Sequence, residues 1–525
     1  MKARQGVLVV HSTDGRLFAM ENACPHQGYP LSQGTVAGCI VTCPWHNFKF
    51  DAQTGACVMG EEAARTHEVR VVDGIVEVRR DLSIDAAAVW ASLTEGMRRV
   101  QMSRVARDVC RLLAAGVPAT ELLAWGAAWD ADRCEYGLGH ATALASDLVG
   151  WLDRPPAGVS LEEHRVQVVT EALDLAARSV VGLVPRARPE PARVEDGAAA
   201  LNGLRERVEA EDAVGAEAWV RGMVLAGWSR SQLEVALYPL VADHFLDFGH
   251  ELIYVGKALD LLDAAGPKQA DSLLGGLVFG ITNGTREDLL PTWRAFRARW
   301  VAFVAEDGPA RAFAARSEGV RDLDAEAVLV REIGEGTAAA CFGAVAAALT
   351  SGRWDTVVNA LVLAGAERIL RFDLHHDADP TVEEGWLDVT HRFTSANAAR
   401  QAVGRWAHPD GARLLLSVAH FVNLARPLDG PGDAVSAGSA PEGASFAELQ
   451  AWVLEDHTAR AIFFAHDVKT LVAAEAESRR LDDPAPMQAA ARFLKNPLSE
   501  RPIRRFAHQA VRLVRDGKPP HGLTG

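Results

Sequence analysis

No apolar run in this 525-residue chain approaches the ~18 residues that a membrane-spanning helix needs, so no span is expected. An excess of basic charge is also missing. The formal net charge of −15 argues against nucleic acid or an anionic membrane as partner. The opening Met1-Lys2-Ala3-Arg4-Gln5 is not followed by an apolar segment and cleavage site, so it does not read as a signal peptide. Seven cysteines are too few for a disulfide framework at this length, and Cys110, Cys134 and Cys341 sit in helical patterns as reduced core residues. These features point to a cytoplasmic protein. No fixed-period repeat is found, which disfavours a solenoid. What remains is ordinary globular composition, 49% apolar and 23% charged, at a length that suggests two to four domains.

Against that background one stretch carries specific chemistry. Cys24-Pro25-His26 is followed, sixteen residues on, by Cys43-Pro44-Trp45-His46. Two thiolates and two imidazoles in this order can hold a [2Fe–2S] cluster, with cysteine on one iron and histidine on the other. Zinc is the rival for a Cys2His2 set, although zinc fingers usually place both cysteines before both histidines. The run Cys24-Pro25-His26-Gln27-Gly28 with Cys43-Pro44-Trp45-His46-Asn47-Phe48-Lys49-Phe50-Asp51 resembles ferredoxin-type Rieske domains and those of ring-hydroxylating oxygenases. The resemblance implies that Cys24, His26, Cys43 and His46 bind the cluster and that the domain passes single electrons. Respiratory-type relatives carry two further cysteines in a disulfide beside the cluster. Tyr29 and Trp45 stand at those places here, which implies the unbridged kind, near the low end of a range that starts at roughly −150 mV. Cys39 and Cys57 read as small buried β-residues.

The chain divides by pattern into a small all-β domain, residues 1–82, and a large all-α domain, residues 83–525. Short alternating runs and the Asp14-Gly15 and Asp73-Gly74 turns give hairpins in the first part. With the first ligand already at position 24, the strand that normally precedes this hairpin is expected to be missing, through a misassigned start or a tolerated bare edge. From about residue 84, Ala and Leu recur at three and four, Ser83 is a plausible N-cap, and roughly fifteen or more helices are expected. Pro/Gly-rich breaks fall at residues 154–158, 184–191 and 426–443, the last read as a long loop.

Four histidines stand in apolar helical contexts: His140, His250, His391 and His466. The segment Asp243 to Tyr254 reads as one helix, with Asp243, Asp247, His250 and Tyr254, spaced four, three and four apart, on one stripe of it. Asp247 and His250, and again Asp388 and His391, form D-x-x-H pairs, while His466 and Lys469 stand at i, i+3. Each has a plainer reading, as a satisfied core histidine, an imidazole oriented by a carboxylate, or a snorkelling lysine. His375-His376 in an acidic loop and His420 in an apolar run rank lower, His244 should face away from the His250 stripe, and His408, His457 and His508 read as surface.

The helical part resembles the questin oxidase-like family through His250-Glu251-Leu252-Ile253-Tyr254-Val255-Gly256, Thr390-His391-Arg392-Phe393-Thr394 and His466-Asp467-Val468-Lys469. Members of that family oxidise anthraquinone-type polyketides. Tyr254 stands where that family has a second histidine, and Glu251 where it has proline. The resemblance implies a non-haem iron held mainly by histidine, with Lys469 as a ligand after carboxylation; the expected mononuclear iron has His140, His250, His391 and His466 as ligands, and Lys469 or Asp247 supplies the anionic one. The expected function is a Rieske-coupled oxygenase served by an external NAD(P)H-dependent reductase or ferredoxin and acting on a small organic substrate. Two alternatives stay open: a di-iron site built on the D-x-x-H pairs, and an electron carrier or redox sensor whose helical part is a docking body without its own metal.

Overall fold

The computed structural model describes the chain except residues 5, 81, 318–320, 383, 431–443, 456, 457, 459, 497–501 and 519–525. His457 and most of the 426–443 break therefore lie outside the described residues. The chain forms two compact units, Met1–Ala119 and Thr120–Gly525.

The first unit is built on two antiparallel sheets. Strands β1 (Lys2–Arg4), β2 (Val7–His11), β3 (Leu17–Glu21), β8 (Thr66–Val72) and β9 (Ile75–Arg79) form one, in that order. Strands β4 (Thr35–Ala37), β5 (Ile40–Thr42), β6 (Lys49–Asp51) and β7 (Cys57–Met59) form the other. The edge expected to be bare is filled: β1 pairs with β2 in the register Lys2 to Val9 and Arg4 to Val7. Leu8, Val10, Phe18, Met20, Val41 and Phe50 make the core, and Cys24 and Cys43 are buried in the same cluster. The first ligand loop leaves β3, and the second joins β5 to β6, so the apolar core fixes both loop roots.

Two helices complete this unit. Helix α1 (Ala86–Arg98) is capped by Asp85, whose carboxylate accepts the Ala88 amide at 3.1 Å. Asp85, not Ser83, is thus the cap, because its oxygen reaches the third amide of the helix. Helix α2 (Met102–Ala114) packs against α1, with Gly96 allowing Val105 to approach closely.

The second unit is helical throughout. Among the described residues of the whole chain there are twenty-two α-helices. Four of them concern the site: His140–Val149, His250–Ala265, Trp386–Arg405 and Ala461–Leu481. They pack pairwise, the His250 helix against both the His140 and His391 helices, and the His466 helix against both of the same. None of the described helices is long and apolar enough to cross a membrane.

Candidate functional site

In the first unit the two loops bring the four sequence-selected residues together. The Nδ1 atoms of His26 and His46 lie 3.1 Å apart, close enough to share one ion. Phe48 stacks on the His26 ring at 4.9 Å. The main chain fixes each loop, the Cys24 amide donating to the Tyr29 carbonyl and the Cys43 amide to the Phe48 carbonyl, both at 2.8 Å. Burial pushes the Cys24 thiol up to about 11, and the neighbouring Cys43 sulfur adds to that. Two buried thiols side by side are poorly solvated as thiolates and well suited to binding iron. The donor set therefore fits a [2Fe–2S] cluster.

In the second unit the four histidines, drawn from four helices, also converge. Ligand atoms of His140, His250 and His391 lie within 4.8 Å of one another. The His466 ring is 4.7 Å from that of His140 and 5.1 Å from that of His391, centre to centre. Their orientation is the informative part. His250 Nδ1 faces the Asp247 carbonyl at 2.5 Å, His391 Nδ1 the Asp388 carbonyl at 3.2 Å, and His466 Nδ1 the Ile462 carbonyl at 2.9 Å. A carbonyl oxygen has no proton to give, so each of these Nδ1 atoms carries the hydrogen and each Nε2 is a bare lone pair. His391 Nε2 and His466 Nε2 face each other at 3.3 Å, and the Nε2 atoms of His140 and His250 have no protein partner. Lone pairs aimed at one another in a buried site repel, and a cation between them removes the conflict. Burial, reinforced by the neighbouring imidazoles and Lys469, holds His140, His391 and His466 well below the usual histidine range. Burial first, and then Lys469, bring His250 down to about 3. The rings are neutral at pH 7, the form that binds metals.

The D-x-x-H pairs work differently from the sequence expectation. Asp247 and Asp388 hold the imidazoles through their main-chain carbonyls. Their carboxylates serve the backbone instead, accepting the Thr285 amide at 2.8 Å and the Gly385 amide at 2.6 Å. The expected continuous stripe from Asp243 to Tyr254 is broken. Asp247, Phe248 and Gly249 have φ of 43°, 55° and 81°, and a new helix starts at His250. Left-handed backbone at non-glycine residues costs ~1–3 kcal/mol each and persists only where the surroundings impose it. Here Thr285 and Glu287 grip the turn, Glu287 accepting the Phe248 amide at 3.2 Å.

Lys469 is 4% exposed, does not snorkel, and its Nζ has no hydrogen-bond partner. Burial brings it down to about 7. It borders a cavity of about 10 Å³ shared with Lys257, Thr394, Asn397 and Gln401, room for about one water. Tyr254 keeps its place one turn after His250, its hydroxyl 3.3 Å from His140 Nδ1. Sequence reasoning missed the buried acids around the site. Asp130 accepts the Gly139 amide just before His140 and is pushed up to about 7 by burial, Asp147 pairs with Lys257, and Glu251 is 3% exposed. The available signal was an acid directly after His250 and one two turns after His140. The remaining histidines stand apart. His244 pairs with Asp288 at 2.8 Å, His375 is exposed beside Asp373, His420 packs on Trp293 and Phe296, and His408 stacks on Trp406.

The first unit thus defines a class: a small two-sheet iron–sulfur domain that carries electrons. Residues 2–73 match the family model of the Rieske [2Fe-2S] domain, and through them the chain belongs to that family. It is 40% identical over 78 residues to the anthranilate 1,2-dioxygenase ferredoxin subunit of Burkholderia cepacia, covering 14% of this chain and 72% of that one. Identity to the ferredoxin component of the naphthalene 1,2-dioxygenase system of Pseudomonas putida is 30% over 78 residues, covering 14% and 73%. The 4beta-methylsterol monooxygenase of Methylococcus capsulatus is 35% identical over 72 residues, but the chain spans only 19% of that protein's length. No solved structure matches the chain.

Proposed function

We propose that this protein is a Rieske-coupled non-haem iron oxygenase of the cytoplasm. Cys24, His26, Cys43 and His46 would hold a cluster that takes electrons from an external reductase or ferredoxin, and His140, His250, His391 and His466 would hold the iron for which those electrons are meant. The observation that carries this reading is the convergence of four buried imidazoles from four helices, three of them with the Nδ1 hydrogen already committed to a main-chain carbonyl so that Nε2 is the bare atom. A bound iron supplies dioxygen activation and one-electron chemistry. The protein supplies a fixed, dry ligand frame.

Lys469 provides the anionic ligand. A lysine brought down to about 7 is substantially neutral at physiological pH. Its nitrogen adds to the carbon of carbon dioxide, an N–C bond forms, the amine proton leaves to solvent, and a carbamate oxygen becomes the donor. The small polar cavity with Thr394, Asn397 and Gln401 has room for about one water, which can take up that proton and pass it to solvent. The motif likeness to the questin oxidase-like family supports an aromatic or polyketide substrate. So does the likeness of the first unit to ferredoxins of the anthranilate and naphthalene 1,2-dioxygenase systems.

The test is iron and acid-labile sulfide per chain on protein purified without oxygen, beside Cys43→Ser. Three irons to two sulfides, with one iron surviving in the variant, is expected. Two irons to two sulfides, with none surviving, sinks the second metal and leaves an electron carrier with a docking body. Four irons to two sulfides favours the di-iron alternative.

A further inference from the structure

The cluster loops have a neighbour that the ligand set does not include. Arg107 lies on α2, beyond the residues that match the Rieske model. Its Nη1 donates to the main-chain carbonyl of His26 at 2.8 Å. Its Nε donates to Glu62 Oε2 at 2.6 Å, and its Nη2 pairs with the same carboxylate. The Glu62 side chain is 4% exposed, and its other oxygen is taken by Arg111 Nη1 at 2.6 Å. Arg111 also reaches Asp108 at 2.6 Å. Arg104, Arg107 and Arg111 share one stripe of the helix; Arg107 and Arg111 reach Glu62 of the β-domain, while Arg104 donates to Ser92 on α1.

This geometry has an electrostatic consequence. The His26 carbonyl belongs to a residue of the ligand set, and its oxygen is the negative end of a peptide dipole. A guanidinium donating to it offsets that negative end and adds a positive charge near the histidine-bound iron. Reduction of the cluster adds an electron there, so a nearby cation favours the reduced form. Glu62 opposes this but stands on the far side of the guanidinium from the carbonyl, and its Oε2, accepting from Arg107 Nε, holds the guanidinium in place.

We propose that Arg107 is a positioning residue for the cluster, one that raises its reduction potential and clamps the His26 loop from α2. The inference depends on the cluster alone and not on a second metal. The test is redox titration of the full-length protein, with electron paramagnetic resonance of the reduced cluster and iron and sulfide content as controls. Arg107→Gln with full cluster content is expected to lower the potential by about a tenfold change in the oxidised-to-reduced ratio, ~59 mV for one electron. Arg107→Lys should recover part of that shift. Glu62→Gln should move the potential upward, because it removes the opposing charge and leaves the guanidinium. Arg107→Gln with an intact cluster and unchanged potential overturns the proposal. If that variant does not keep its cluster, Glu62→Gln decides, and an unchanged or lower potential there overturns it equally.

Discussion

An imidazole whose Nδ1 hydrogen is committed to a carbonyl has one lone pair to offer, and His250, His391 and His466 offer theirs into the same space. His391→Ala removes one donor and half of the closest facing pair. It should release the non-cluster iron while the visible spectrum of the Rieske cluster stays unchanged, which metal analysis beside absorbance checks. Lys469→Ala should weaken that iron by at least about tenfold, judged against the 10–100-fold typical even of residues that only support ligands. Added formate or acetate should restore part of it if the missing donor is anionic, and ammonium salts should not. His420 gives a pH prediction away from the metal. Burial against Trp293 and Phe296 brings it down to about 4 from 6.5. Its folded pKa is below its unfolded one, so the unfolded chain binds more protons between those values. Stability should be full above pH 6.5 and fall by about 3 kcal/mol as pH drops through 4, and denaturant titrations of His420→Leu should show that slope flattened. Which cysteines and histidines the fold gathers was legible in the sequence, because Cys and His in paired or apolar contexts are rare enough to stand out. Which atom of each aspartate does the holding was not, since carbonyl and carboxylate acceptors leave the same D-x-x-H trace.

At the scale of elements, the site depends on how closely its helices cross. Gly365, on the helix Trp354–Arg371, faces the backbone of Arg392 and Phe393, and a Cβ there would meet them at 2.7–2.8 Å. Backbone cannot swing aside as a side chain can, so Gly365→Ala should force the helix carrying His391 outward. The expected result is a loss of about 1–3 kcal/mol and weaker non-cluster iron, measured by thermal unfolding and metal titration. Most helices were legible from the three- and four-residue spacing of Ala and Leu. The break at Asp247–Gly249 was not, because the partners that impose it, Thr285 and Glu287, lie nearly forty residues away in sequence. Helix α1 shows the smaller version of the same limit. Both Ser83 and Asp85 are good capping residues, and only the geometry chooses Asp85.

For the whole molecule, the change from β-alternation to helical spacing near residue 84 marks where secondary structure changes, while the first compact unit runs on to Ala119. The difference is made by long-range ion pairs. Glu62, buried in the β-domain, has both its oxygens occupied by arginines of α2. Nothing in the local spacing of either segment signals that pairing. A fragment of residues 1–119 should therefore fold with its cluster. One ending at residue 82 lacks the arginines that hold Glu62 and should be less stable, a difference that chemical unfolding followed by cluster absorbance measures.

Three of the four imidazoles in the helical unit are oriented by main-chain oxygens, which no substitution can delete. His140 alone leans on a side chain, the hydroxyl of Tyr254. Inheritance can therefore edit the electronic character of this centre at one corner while the other three are copied unchanged. Among descendants of this gene, position 254 is the dial that drift or selection can turn without dismantling the frame.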